Sequence, residues 1–200
     1  MRYRITIKGT EPLLHHNGAA NLDLHSPLNQ ERREIVRRLR SDQTLSDEQR
    51  LAELDCQLAL WLDDDGRPTI PKAALRTMLE TSAKKLKQGP RVREGLMVTA
   101  VEHFDYDEEQ YGTTRSQLGK TTQFRTAVVV NRNRLLRTRA KFDEWACTFV
   151  IECDDAQVDQ RYLQTWLDIG GRRIGLGDWR PERSGTYGRF QTVKIAPLKS

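Results

Sequence analysis

Arg2-Tyr3-Arg4-Ile5-Thr6-Ile7-Lys8 places Tyr3, Ile5 and Ile7 at one set of alternate positions and Arg2, Arg4, Thr6 and Lys8 at the other. That is the period of a half-buried strand, with one face in a core and the other basic. Beyond it, Gly9 to Gly18, through Glu11-Pro12-Leu13-Leu14-His15-His16-Asn17, is a turn or loop. Two helices are predicted next. The first covers about 29–40 with Ile35, Val36 and Leu39; the second opens on Ser46-Asp47-Glu48-Gln49, a capping-box pattern, and repeats Leu51, Leu54, Leu58 and Trp61. Asp63-Asp64-Asp65-Gly66 stops it.

Ile70-Pro71 starts a further helix, since proline suits a first turn, and Leu75, Met78, Leu79, Ser82 and Leu86 form its inward stripe before Gly89-Pro90 ends it. Strand patterns follow at about 96–104, 126–131 and 146–153, the last with Cys147, Phe149, Ile151 and Cys153 inward. Asp154-Asp155 can cap a helix whose Val158, Tyr162, Leu163, Trp166 and Leu167 face the core, with Gly170-Gly171 as its C-terminal cap. A final strand covers about 189–195. The core order is therefore strand, helix, strand, strand, helix, strand. That order predicts an α+β fold on the ferredoxin-like or RRM plan, an antiparallel sheet in a single domain over 1–200. A helical insertion occupies about 28–65, and an extended hairpin or loop excursion about 104–141.

The length of 200 residues suffices for one sizeable core, and 37% hydrophobic with 30% charged residues indicates a folded chain with a polar surface. No apolar run approaches the roughly 18 residues needed to cross a bilayer, and the start lacks a signal-peptide core, so a cytoplasmic protein without membrane attachment is expected. Cys56, Cys147 and Cys153 form no C-x-x-C pair, and their odd number argues against a disulfide framework. A net charge of +5 and a pI near 9.2 point toward a polyanionic partner.

Charge distribution sharpens that expectation. Residues 115–141 contain Arg115, Lys120, Arg125, Arg132, Arg134, Arg137, Arg139 and Lys141 and no Asp or Glu. Arg132 and Arg134, then Arg137 and Arg139 across Leu135-Leu136, alternate so as to line guanidiniums along one face of an extended segment, suited to phosphates. The alternative is a solvated surface. Lys72 and Arg76 add cations on the Ile70-Pro71 helix. Upstream, Glu102, Asp105, Asp107, Glu108 and Glu109 are either a solvated acidic loop or a partner for a neighbouring copy's basic strip.

Residues 170–190 form a second basic region. Arg172, Arg173, Arg180, Arg183 and Arg189 supply phosphate contacts, Trp179 and Tyr187 supply stacking surfaces or packing anchors, and the glycines allow close backbone approach. Neither a P-loop nor a Rossmann fingerprint is present. Three stretches together resemble the RAMP superfamily of RRM-fold proteins: Thr6-Ile7-Lys8-Gly9-Thr10-Glu11-Pro12-Leu13-Leu14, Ile70-Pro71-Lys72-Ala73-Ala74-Leu75-Arg76, and the loop ending Gly185-Thr186-Tyr187-Gly188-Arg189-Phe190. The Gly175-Leu176-Gly177-Asp178-Trp179-Arg180-Pro181 run is similar to that of phage and prophage proteins of the same general look.

The resemblance implies an RRM-like domain binding single-stranded nucleic acid, RNA favoured over DNA, as a non-catalytic Cas7-like subunit. Such a subunit works in a homo-oligomer or multi-subunit assembly, of the CRISPR-effector or phage kind. Cas6-like relatives cleave RNA with a histidine soon after the first strand, which makes His15 and His16 candidates for acid and base work. Histidine pairs in loops are more often hydrogen-bonding or surface residues. No cofactor is expected, and no metal: His15, His16, Asp23 and His25 match no zinc spacing. A phage single-stranded-DNA-binding or annealing protein, an endoribonuclease and a structural assembly protein remain the alternatives.

Overall fold

β1 (Arg2–Gly9) carries out the alternation of its sequence, with Tyr3, Ile5 and Ile7 buried and Arg2, Arg4 and Lys8 exposed. The remaining elements are β2 (Leu13–His15), α1 (Pro27–Arg38), α2 (Leu45–Ala59), α3 (Lys72–Lys84), α4 (Gly89–Gly95), β3 (Leu96–Tyr106), α5 (Glu108–Tyr111) and α6 (Arg115–Thr121). They continue with β4 (Gln123–Val130), β5 (Asn133–Phe142), β6 (Trp145–Cys153), α7 (Gln160–Ile169) and β7 (Phe190–Leu198). This computed structural model describes residues 1–200 except Asn21, Asn131, Arg132, Lys199 and Ser200, and excludes the side chains of Val129, Val130, Asn133 and Arg134. It is a mixed α+β structure with sheet orders β3-β6-β1-β7 and β2-β5-β4.

Two compact units divide the chain: Met1–Leu14, Thr69–Tyr106 and Phe142–Ser200 form one, and His15–Pro68 with Asp107–Lys141 form the other. In the first unit every neighbouring strand pair is antiparallel, and Ile5 stands opposite both Phe149 of β6 and Ile195 of β7. Cys147, Phe149, Ile151 and Cys153 are buried with them. The helices contribute Leu75, Met78 and Leu79 from α3, and Leu163, Trp166 and Leu167 from α7. Trp166 is fully buried, and its indole N–H donates to Gln88 Oε1 at 2.8 Å, which satisfies its one polar atom.

In the second unit α1 packs on α2, and Leu54, Cys56, Leu58 and Leu118 are among its buried side chains. Ion pairs join the helices: Arg32 to Asp55, Arg38 to Asp47, and Arg50 to Glu31. β4 and β5 form an antiparallel hairpin with Arg125 opposite Thr138 and Thr126 opposite Arg137.

Several local expectations are corrected. α2 is capped by Thr44, whose hydroxyl accepts from Asp47 N–H, two residues before the expected Ser46. α7 is capped by Asp159, whose carboxylate accepts from the backbone of Arg161 and Tyr162, while Asp154 instead closes a turn on Ala156. Gly170-Gly171 does not end that helix. Helical backbone continues as a wide turn through Ile174, and the left-handed residue is Gly175, at φ 75°. Gly89-Pro90 begins a helix, because proline tolerates the first turn. The excursion holds two short helices besides its hairpin, capped by Asp107 and by Thr114 with Gln117.

Phe149 anchors the sheet centre. Phe149→Ala is expected to cost about 3–5 kcal/mol, and urea denaturation followed by circular dichroism checks it; a loss under about 1 kcal/mol would mean that this core is not packed as described.

Candidate functional site

The segment from Gly170 to Arg189 links α7 to β7 and is tied to itself, to the β1–β2 turn and to β2 by backbone hydrogen bonds. Leu176 N–H donates to the Gly188 carbonyl, Tyr187 N–H to Trp179, Gly188 N–H to Pro12 and Asp178 N–H to Leu14. Gly188 has φ 68°, and a Cβ there would lie 1.8 Å from the Leu176 oxygen, so only glycine permits this approach. The Trp179 and Tyr187 rings are half-buried, with centroids 6.2 Å apart and planes 18° apart, so each presents one face to the other. The segment is therefore a braced loop.

Its arginines divide by role. Arg180 donates to Glu182 at 2.7 Å and to the Gly177 carbonyl at 3.1 Å, and Arg189 donates to the Arg172 carbonyl. Both brace the loop. Arg172, Arg173 and Arg183 are exposed and form no ion pair among the described residues. Their charges are available to a ligand.

The basic stretch in the second unit is less uniform than its sequence. Arg115 is half-buried and donates twice to the Gln57 carbonyl, at 3.0 and 3.2 Å, and burial lowers its pKa. Arg139 is only 7% exposed, which removes it from any open strip. Arg132 lies outside the described residues, as does the side chain of Arg134. Lys120, Arg125 and Arg137 are exposed, but Arg125 shares a face with Thr138 and Arg137 with Thr126. The open row of guanidiniums is thus corrected: Arg137 and Arg139, two apart on β5, share a face but Arg139 is buried, while Arg125 of β4 lies on the other face.

On α3, Lys72 and Arg76 are exposed and donate to the carbonyls of Thr99 and Arg93. Arg76 lines a shallow depression with Arg93, Glu94, Glu152 and Asp154, a lining of mixed sign. Sequence reasoning overlooked Lys194 as a candidate. Opposite Thr6, it joins the exposed Arg2 and Lys8 on the face of the sheet away from the core, where Glu102 holds Arg4 at 2.7 and 2.9 Å. The polar alternate positions of β1 were the available signal; the β7 register supplied the rest.

His15 is fully buried, accepts from Trp61 N–H at Nδ1 and packs its ring 4.8 Å from the Trp61 ring. Burial drives its pKa down from 6.5 to about 3, so the imidazole is neutral near pH 7 and hidden from solvent. General acid work there would need the imidazolium, the form that burial disfavours. His16 is half-buried. Cys56, Cys147 and Cys153 are buried thiols pushed up to about 12, an environment that disfavours thiolate. Among the described residues no group of three His, Cys, Asp or Glu side chains could hold a metal, and no helix is long and apolar enough to cross a membrane.

The sequence matches no protein-family model, and no curated protein matches it either.

The depressed His15 pKa has a consequence for stability. The unfolded imidazole takes up a proton below about pH 6.5 and the folded one does not until about pH 3, so stability is full above 6.5 and declines as pH falls through that window. Urea denaturation should show the wild type losing up to about 1.4 kcal/mol per pH unit more than His15→Gln between pH 6.5 and 5. Parallel pH dependences in the two proteins would refute the buried neutral ring.

Proposed function

We propose that the first unit is a ferredoxin-like or RRM-type domain of RAMP character that binds single-stranded nucleic acid through its phosphates. Its chain order, β1-α3-β3-β6-α7-β7, with sheet order β3-β6-β1-β7, fits that plan. RNA is favoured over DNA, and the subunit acts without catalysis in a homo-oligomer or multi-subunit complex of the CRISPR-effector or phage type.

One observation carries the binding assignment: a braced loop beside the central strand presents Arg172, Arg173 and Arg183, which have no carboxylate partner among the described residues. On a backbone that is already ordered, binding a phosphate costs these guanidiniums their side-chain freedom but no further ordering of the loop. The open sheet face adds Arg2, Lys8 and Lys194 but no aromatic ring at those positions, so contact there is electrostatic. Phosphate contacts position a strand without reading its bases, and sequence-tolerant binding follows.

Fluorescence anisotropy with matched 20-nucleotide RNA and DNA strands tests this. Combined Arg172→Ala, Arg173→Ala and Arg183→Ala should weaken RNA binding about tenfold or more and reduce the salt slope by about two, at roughly 0.7 per lost contact on a single strand. Equal affinity for DNA would favour the annealing-protein alternative, and shortened RNA would reveal an endoribonuclease. Salt-sensitive oligomers that bind neither strand would leave a structural assembly role.

A further inference from the structure

We propose that a cavity in the second unit binds the phosphate group of a phosphate monoester. The cavity has a volume of about 260 Å³ and draws Arg32 from α1, Asp55 from α2, and Arg137 and Arg139 from β5, with His16 also in its lining. Among the arginine and aspartate side chains of the lining, three guanidiniums face one carboxylate, leaving two net positive charges around a small space. A phosphate monoester carries about −1.5 to −2 near neutral pH, whereas a backbone phosphodiester carries about −1. The monoester is the better match in charge.

The geometry of Arg32 supports the same ligand. Its Nε donates to Asp55 Oδ1 at 2.5 Å, which orients the guanidinium through one nitrogen. Among the described residues its two terminal nitrogens donate no hydrogen bond, and Arg137 forms no ion pair. Asp55 acts as a positioning residue, holding the fork so that its outer edge can meet two phosphate oxygens. Arg139 is 7% exposed, so its charge acts where water screens little. Leu135 and Leu136, 46% and 64% exposed, give the cavity an apolar edge against which the esterified group can lie. The volume falls below the roughly 300 Å³ at which drug-sized pockets begin, enough for a phosphate and part of what it is attached to.

Two sources share this chemistry, a free phosphate compound and the phosphorylated end of a strand. Thermal shift and calorimetry on the full chain with inorganic phosphate and adenosine monophosphate, in chloride buffer of matched ionic strength, test the site directly. Anisotropy with 5′-phosphorylated and 5′-hydroxyl forms of one 12-nucleotide RNA separates the sources. We expect saturable binding that weakens about tenfold or more in Arg137→Gln and in Arg32→Gln, with both variants folded by circular dichroism. A tenfold preference for the phosphorylated RNA, lost in those variants, assigns the ligand to a strand end; adenosine monophosphate binding with no such preference assigns it to a free monoester. No saturable binding of either small probe together with equal affinity for the two RNAs overturns the site, as does binding unchanged in both variants. Affinity for the hydroxyl-ended RNA reports separately on the loop arginines, so the two proposals fail independently.

Discussion

β1 is hydrogen-bonded on both sides, to β6 and to β7, and this double pairing constrains the rest of the first unit. A strand with two neighbours cannot slip by one residue without turning Tyr3, Ile5 and Ile7 outward and bringing arginines and a lysine into the core. The one adjustment is a bulge between Thr6 and Ile7 against β7, which re-aims the end of the strand while Ile5 and Ile7 stay buried. β7 must therefore return beside the first strand after α7. The braced loop is the path of that return, closed by Thr10 N–H donating to the Arg189 carbonyl and Gly188 N–H to Pro12.

Charge in this protein is divided between holding and offering. Several cations are committed internally: Arg4 to Glu102, Arg38 to Asp47, Arg50 to Glu31 and Glu53, and Arg180 to Glu182. Such exposed or partly exposed pairs contribute only about 0–1 kcal/mol each. Their effect is mainly on orientation and on which positive charges remain for an external anion. The net charge of +5 therefore understates how unevenly the surface is arranged, since Arg172, Arg173 and Arg183 lie close in sequence on one loop.

Residues of reactive type proved to be packing residues in several places. Cys56 Sγ lies 3.3 Å from Thr122 Oγ1 and within 3.8 Å of the Leu118 carbonyl inside a helical core. His15 follows two buried leucines and is buried like them, its polar nitrogen used on the Trp61 backbone. The acidic block has similar duties: Asp107 caps α5, Glu108 and Glu109 sit in its first turn where the helix dipole favours them, and Glu102 fixes Arg4.

The sequence by itself determined the elements that bury a periodic face. Alternation in β1 and β6 and the stripes Leu75-Met78-Leu79 and Leu163-Trp166-Leu167 identify strands and helices, because an apolar period can satisfy only one backbone geometry. The basic loop showed in the sequence as five cations among glycines, but the bracing contacts of Arg180 and Arg189 did not. Tertiary structure decided what depends on distant partners. Arg115, Arg139 and Arg137 look alike in sequence, yet one is tied to the Gln57 carbonyl, one is buried and one is open. Likewise β2 and Lys194 gained their places through strand register, and Arg32 met Asp55 and the β5 arginines only once α1, α2 and β5 had packed. Local sequence carries the period of a residue's own element, whereas burial and charge pairing are properties of what folds against it.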